Sequence, residues 1–334
     1  MIRIGNLYEQ ICTYENLCIA FKKAVRGKQD RYEVIAFKRS FDANIEKLRM
    51  DLLNHSPDVG HYYFFHVYDP KPRDICAASF PERVLHHAIM NICEPILEKY
   101  AIYDSYACRK NKGSDAAIFR AKKICKKNTW YLKLDIRKYF DSIDHLILID
   151  MLARRIKDQY VLDLFSKILE TYHTRPGKGV PIGNLISQHL ANFYLGKFDH
   201  WIKEIMKIKY YIRYMDDFIL FGNYHQDMKK LLAKIIIFLN SQLSLKLKQN
   251  IQLNRVQYGI PFLGYRVFSE KILLSTQSRK RFIDKYRLFE SNCLHGIWST
   301  DHMVRHMLPL IEFTKKADAH GFRKKIINQF GVWS

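Results

Sequence analysis

The chain has 334 residues and carries 55 Lys and Arg against 33 Asp and Glu, a formal net charge of +22. A hydrophobic share of 48% and an aromatic share of 14% exclude a mostly disordered chain, and the length is ample for a large buried core. No stretch reaches the ~18 uncharged apolar residues of a membrane-spanning helix, and the opening MIRIGNLYEQICTYENL lacks the basic-then-apolar pattern of a secretory signal. A soluble cytoplasmic protein is expected. Its seven cysteines (Cys12, Cys18, Cys76, Cys93, Cys108, Cys125, Cys293) are scattered with no C-x-x-C pair, so reduced thiols are expected rather than a zinc finger or a redox motif. The histidines form no H-E-x-x-H or H-x₃₋₅-H set, and His86-His87 reads as a helix-face pair.

In chain order, residues 6–54 read as helical, with Leu17, Ala20, Phe21, Ile35, Phe37, Ile45 and Leu48 as the apolar positions. His61 to Tyr68 is rich in strand formers and is stopped by the turn signal Asp69-Pro-Lys-Pro72, after which Arg73 to Ser79 returns as the second strand of a hairpin. Glu82 to Tyr100 is helical, Trp130 to Asp135 alternates as a strand, and helices fill 145–173. Pro176 to Asn184 is a Gly/Pro-rich loop that leads into a helix over Ser187 to Met206. Tyr210–Tyr214 and Phe218–Phe221 flank Met215-Asp216-Asp217 as a tight hairpin. A helix over 227–243 follows, then strands near 245–253 and 261–268, then a helical tail. Helices and hairpins without regular βαβ alternation predict an α+β architecture.

The charge is clustered. From Arg109 to Lys133 there are nine Lys and Arg against the single acid Asp115, and from Glu270 onward there are twelve against six. Phe119, Trp130, Tyr131, Phe282, Tyr286 and Phe289 are interleaved with these cations. Cations that neutralise phosphates, beside rings that stack on bases or sugars, fit a nucleic-acid groove. An acidic membrane surface is the competing partner, but no basic helix with one clean apolar face stands out.

Two adjacent acids at the tip of an apolar hairpin, Asp216 and Asp217, concentrate negative charge beside a hydrophobic sheet, which is costly without a cation. Mg²⁺ held by carboxylates and substrate phosphates is the natural compensator. Asp135 ends another strand. If the two strands are neighbours, three carboxylates surround one point, the minimum for a two-metal site that activates a 3′-hydroxyl and steadies a leaving pyrophosphate. Asp141 and Asp144 read as structural or surface acids. Gly179 to Gln188 supplies a loop that lets a nucleotide approach the backbone at the start of a helix.

Taken together, these pieces resemble reverse transcriptases, in the order that family shows. Tyr214-Met-Asp-Asp217 resembles the Y-x-D-D box, and Asp135 with Phe140 resembles the motif that joins a metal ligand to an aromatic gate against a ribose 2′-hydroxyl. Lys71-Pro-Arg73 and Ser105 to Gly113 resemble fingers motifs, and Gly259 to Tyr265 resembles the primer-gripping hairpin. The resemblance implies a right-hand polymerase fold using two Mg²⁺ ions, with Mn²⁺ as a substitute in vitro. It places Asp135, Ile136, Asp216 and Asp217 at the metals and Arg73, Arg109, Phe140, Ile182, Gly183, Gln188 and Lys248 at the nucleotide. Tyr214, Met215, Gly264 and Tyr265 fall at primer or template. A lysine that protonates the leaving pyrophosphate is Lys246 or Lys248. Ile182-Gly183-x-x-x-Ser187-Gln188 is similar to the box of enzymes from diversity-generating retroelements, which are bacterial or phage-encoded. That likeness implies error-prone copying opposite template adenines, a template-repeat RNA, dNTPs, a primer or cDNA strand, and a small basic accessory variability protein.

The corresponding organisation is an N-terminal helical extension (1–60), fingers (61–129 and 146–180), an antiparallel-sheet palm with the primer grip (130–145 and 181–268) and a helical basic thumb (269–334), with no further module after the thumb. The competing readings are a retron-type or defence-associated reverse transcriptase and a non-catalytic RNA-binding scaffold. Acids at all three positions speak against the scaffold.

Overall fold

The computed structural model describes residues 3–68 and 72–330. Four helices open it: α1 (Tyr8–Ile11), α2 (Tyr14–Val25), α3 (Tyr32–Arg39) and α4 (Phe41–Leu53). Thr13 Oγ1 accepts from Asn16 N, which starts α2 by satisfying an orphan amide, and Leu17, Ala20, Phe21 and Ala24 form its buried stripe. The hairpin β1 (Tyr62–Tyr68) and β2 (Pro72–Ala78) is antiparallel, with Tyr63, Phe64 and Tyr68 exposed. Residues 69–71 of the expected turn, Lys71 included, lie outside the described residues. Next come α5 (Phe80–Tyr100) and α6 (Gly113–Cys125). The buried faces of α1–α5 share one core with later helices, so the N-terminal helices pack into the main body.

β3 (Trp130–Asp135) is followed by α7 (Tyr139–Ser142), α8 (His145–Ala153), α9 (Gln159–Glu170), α10 (Leu185–Tyr194) and α11 (Gly196–His200), the last passing into a π turn over Trp201–Ile205. β4 (Tyr211–Tyr214), β5 (Asp217–Gly222), α12 (His225–Leu243) and β6 (Gln252–Arg255) complete this part. The sheet order is β4-β5-β3-β6, with all neighbours antiparallel. Alternation sorts its side chains into two cores. Leu132, Leu134, Tyr211, Phe218 and Leu220 face the helical core that holds α5, α10 and α12. Tyr131, Ile212, Ile219 and Phe221 face α6 and a second sheet.

That second sheet is β7 (Ile260–Phe262), β8 (Tyr265–Val267) and β9 (Ile272–Leu274). The sequence reading placed Ile272–Leu274 in a helical tail. Three residues give no detectable period, and pairing with β8 decides their state. The strand expected near 245–253 begins pairing only at Gln252, although Leu247 makes a lone bridge to Ile136. Helices α13 (Thr276–Leu294), α14 (Thr300–Lys315) and α15 (His320–Phe330) close the chain around Phe282, Tyr286, Phe289, Met307 and Ile326. Ser275 and Ser299 cap the first two. No helix among the described residues is long and apolar enough to cross a membrane.

Candidate active site

The open end of the four-stranded sheet assembles the three acids. Asp135 and Asp217 are direct partners in the β3–β5 register, so their side chains stand on the same face. Asp216 sits in the two-residue loop between Tyr214 and Asp217, which pair as the last residues of β4 and the first of β5. Its carbonyl accepts from Ile136 N at 3.4 Å. Met215, beside it, adopts a left-handed φ of +54°. The Ile136 side chain is fully buried, which leaves only its main chain to face a ligand.

Burial and crowding set the electrostatics. Asp216 is pushed up to about 6, first by desolvation and then by the Asp135 carboxylate, with Lys248 opposing. Asp217 is also pushed up to about 6, by burial, with Lys133 opposing and Asp135 adding to the rise. Lys133 Nζ lies 2.9 Å from Asp217 Oδ2, and Lys248 Nζ lies 2.6 Å from Asp135 Oδ1. Asp217 Oδ1 is buried without a hydrogen-bond partner. With the two lysines in place, no three His, Cys, Asp or Glu side chains among the described residues converge tightly enough to hold a metal as they stand. The donor set nevertheless fits Mg²⁺. It is all hard oxygen, it includes an orphaned carboxylate oxygen, and its surplus negative charge holds protons more tightly than free aspartates do. A divalent ion relieves that surplus where two monovalent ammonium groups only partly do.

Sequence reasoning missed what fixes the loop. Arg213, on the opposite face of β4, is only 1% exposed. Its guanidinium meets both oxygens of the buried Asp199 on α11 at 2.6–3.0 Å and bonds Asn192 Oδ1 and O. It also donates from Nη1 to Met215 O at 3.1 Å. Tyr211 Oη donates to the same Asp199 at 2.7 Å. The acidic loop is thereby tied to α10 and α11. The available signal was strand alternation: Arg213 shares a face with Tyr211, so it had to enter the core and required a buried acid. Lys133 was legible in the same way, two residues before Asp135 and on its face.

The loop before α10 lies against β2. Cys76 N donates to Ile182 O at 2.8 Å, and Ala78 N donates to Asn184 Oδ1 at 2.9 Å. Gly183 adopts φ +120°, and a Cβ there would sit 2.7 Å from Ile75 Cγ2 and 3.3 Å from Cys76 O. Gly183→Ala is expected to cost about 1–3 kcal/mol through backbone strain and displacement of β2. Thermal denaturation measures it, and an unchanged melting temperature would mean the loop relaxes freely.

The remaining positions divide. Phe140 is half-buried at the junction after β3, edge-on to Tyr139, and its carbonyl accepts from Val180 N, which joins it to the loop before α10. Arg73 is exposed on β2 and has no ion-pair partner among the described residues. Tyr214 is half-buried beside the second core, and burial raises its hydroxyl pKa. Gln188, on α10, accepts from Cys108 Sγ at 3.4 Å. Asp144 caps α8 through Ile147 N and lies 3.4 Å from Lys178, a structural acid as expected.

Two of the residues expected at substrate make firm contacts within the chain. Arg109, expected at triphosphate or template, clamps Glu98 through Nε and Nη2 at 2.7–2.9 Å and donates from Nη1 to Ile102 O and Ser105 O. Its guanidinium fixes its own loop to α5. Tyr265, expected at the primer, is 1% exposed, stacks on Phe313 with ring centroids 4.7 Å apart and donates to Phe313 O. Gly264 touches the same helix region: its φ is +87°, and a Cβ there would meet Phe313 Cζ at 2.8 Å. These two residues fasten the second sheet to α14.

Helices packed around antiparallel sheets, with acids at the end of the central sheet, give a right-hand polymerase fold of the reverse transcriptase class. The family model described as reverse transcriptase (RNA-dependent DNA polymerase) matches residues 69–267, more than half of the chain, and the chain belongs to that family. It is similar to the group II intron-encoded protein LtrA of Lactococcus lactis, 29% identical over 147 residues that cover 42% of this chain and 24% of that protein. It is also similar to protein YkfC of Escherichia coli, 29% identical over 178 residues (48% and 45%). A third relative is the putative COX1/OXI3 intron 2 protein of Saccharomyces cerevisiae, 25% identical over 260 residues (58% and 30%). The matches thus span less than half the length of these relatives. Among solved structures, apo telomerase from Candida tropicalis shares the fold with a TM-score of 0.50 at 13% identity, covering 66% of this chain and 56% of that one.

Proposed function

We propose that the chain is an RNA-directed DNA polymerase that extends a primer 3′-hydroxyl with dNTPs on an RNA template. The observation that carries this reading is the register pairing of Asp135 with Asp217 and the placement of Asp216 in the adjoining loop. Asp135, Asp216, Asp217 and the Ile136 main chain would hold Mg²⁺, which would supply Lewis-acid activation of the attacking hydroxyl and charge neutralisation at the leaving pyrophosphate. The chain's own groups do the rest. Arg73, without an ion-pair partner among the described residues, is the cation for the triphosphate, Phe140 closes against a 2′-hydroxyl, and Ile182, Gly183 and Gln188 line the nucleotide's base side. Lys248 is favoured over Lys246 as the proton donor because it alone lies against Asp135. Tyr214 and Met215 support the primer end, while Arg109, Gly264 and Tyr265 hold the frame.

In this reading 61–129 and 146–180 act as fingers, 130–145 and 181–268 as palm, and the basic helices of 269–334 as thumb, with 1–60 buttressing the fingers. The Ile182-Gly183…Ser187-Gln188 box favours a diversity-generating retroelement enzyme that copies a template-repeat RNA with an accessory variability protein. The similarity to intron-encoded proteins leaves room for the alternative, a retron-type or defence-associated reverse transcriptase. Primer extension on RNA, read by sequencing the cDNA, separates the two. Mg²⁺-dependent synthesis with mismatches concentrated opposite template adenine is expected. A uniform mismatch rate removes the retroelement reading, and no synthesis with any divalent ion removes the polymerase.

A further inference from the structure

Helix α14 carries His302 and His306 one turn apart, an H-x₃-H spacing that corrects the expectation that no histidines are so spaced. Residues four apart on a helix stand one above the other. The two imidazole rings stack with centroids 4.5 Å apart and an interplanar angle of 20°. Both side chains are exposed, so an ion reaches them from solvent. Trp298 packs against each ring at 4.6 Å, and Phe289 meets the His306 ring edge-on at 5.7 Å. Ser299 Oγ accepts from His302 N at 3.2 Å, which fixes the first turn of α14 beneath the pair. The rings are thus held side by side before any ligand arrives.

The protons decide what the rings can do. His306 Nδ1 lies 3.0 Å from His302 O, and a carbonyl only accepts, so Nδ1 carries the hydrogen and Nε2 keeps its lone pair. Among the described residues neither ring nitrogen of His302 has a hydrogen-bond partner, and no carboxylate pairs with either histidine. Two neighbouring imidazoles with lone pairs to give suit a divalent ion of the Zn²⁺, Ni²⁺ and Cu²⁺ class, whereas Mg²⁺ prefers hard oxygen ligands. A small counter-rotation of the rings brings the two nitrogens to about 3 Å, as bonds of ~2.0–2.1 Å to one ion require. No third His, Cys, Asp or Glu side chain joins them among the described residues, so water fills the remaining positions. Cys293 is turned away, with Sγ 3.8 Å from Ser299 O.

We propose that His302 and His306 form a surface site for one divalent transition-metal ion, built on other elements than Asp135, Asp216 and Asp217 and selective against Mg²⁺. The site stands independently of the polymerase reading. Calorimetric titration of the untagged full chain with Ni²⁺, in excess Mg²⁺ to occupy the acids, is expected to show one ion bound per chain. His302→Asn/His306→Asn, which alters two exposed side chains, is expected to weaken binding about tenfold or more with an unchanged circular dichroism spectrum. A second measurement uses the wild-type chain alone. At a Ni²⁺ concentration about ten times the measured Kd, only the unbound fraction reacts, so diethyl pyrocarbonate should modify His302 and His306 about tenfold more slowly. His295, outside the pair, should react at an unchanged rate, as read by peptide mass spectrometry. Two results overturn the proposal: Ni²⁺ binding no tighter in the wild type than in the double variant, or modification of His302 and His306 at an undiminished rate in saturating Ni²⁺.

Discussion

Asp216→Asn protein is expected to fold, to be more stable than wild type at pH 7.5 in EDTA, and to incorporate nucleotides at least about 1,000-fold more slowly, a loss of about 4 kcal/mol of transition-state stabilisation. The opposite signs come from one cause. Asp216 ordinarily titrates near 3.8 and is held at about 6 in the folded chain. Below pH 3.8 both folded and unfolded chains carry the proton. Between 3.8 and 6 the unfolded chain releases it first, so stability falls across that window and the full cost stands at pH 7.5. Removing the charge should return about 1–3 kcal/mol at pH 7.5 and nothing near pH 3.5. Thermal melts across that range measure the gain, and primer extension measures the loss. A variant that melts below wild type at pH 7.5 would show that the crowding of Asp135, Asp216 and Asp217 is not repulsive.

Arg213→Met is expected to be the most destabilising single change near the site. It leaves Asp199, which is fully buried, without its counter-ion, at a cost of about 3–5 kcal/mol. Arg213→Met/Asp199→Asn removes the stranded charge and keeps an acceptor for Tyr211, so most of the stability should return. Activity should not, because Met215 O still lacks the donor that ties the acidic loop to α10 and α11. Denaturant unfolding and single-nucleotide incorporation, measured on both variants, separate the effects. If the double variant regains the wild-type incorporation rate, Arg213 only stabilises the fold and does not position Asp216.

The central sheet was legible because its strands are short, apolar and bounded. Trp130–Asp135 alternates cleanly, and Tyr211–Tyr214 and Asp217–Gly222 flank an acidic tip that cannot enter a core. Reading Asp135 beside Asp217 needed one guess, that the two strands are neighbours, and the register confirms it. Long-range pairings were not legible. Nothing local tells Arg109 that Glu98 will take its guanidinium, or Tyr265 that Phe313 will cover it. The narrow apolar stripes of the N-terminal helices pack on α5, a partner that nothing local in the sequence names.

The most direct test of a shared carboxylate cluster is Mn²⁺ titration followed by electron paramagnetic resonance, with primer, RNA template and a non-hydrolysable dNTP bound to the full chain. Two tightly held ions are expected for wild type, with at least one lost in Asp135→Asn and in Asp216→Asn alike, although these acids come from strands far apart in sequence. Undiminished Mn²⁺ binding in either variant would contradict the cluster and, with it, the two-metal account of this chain.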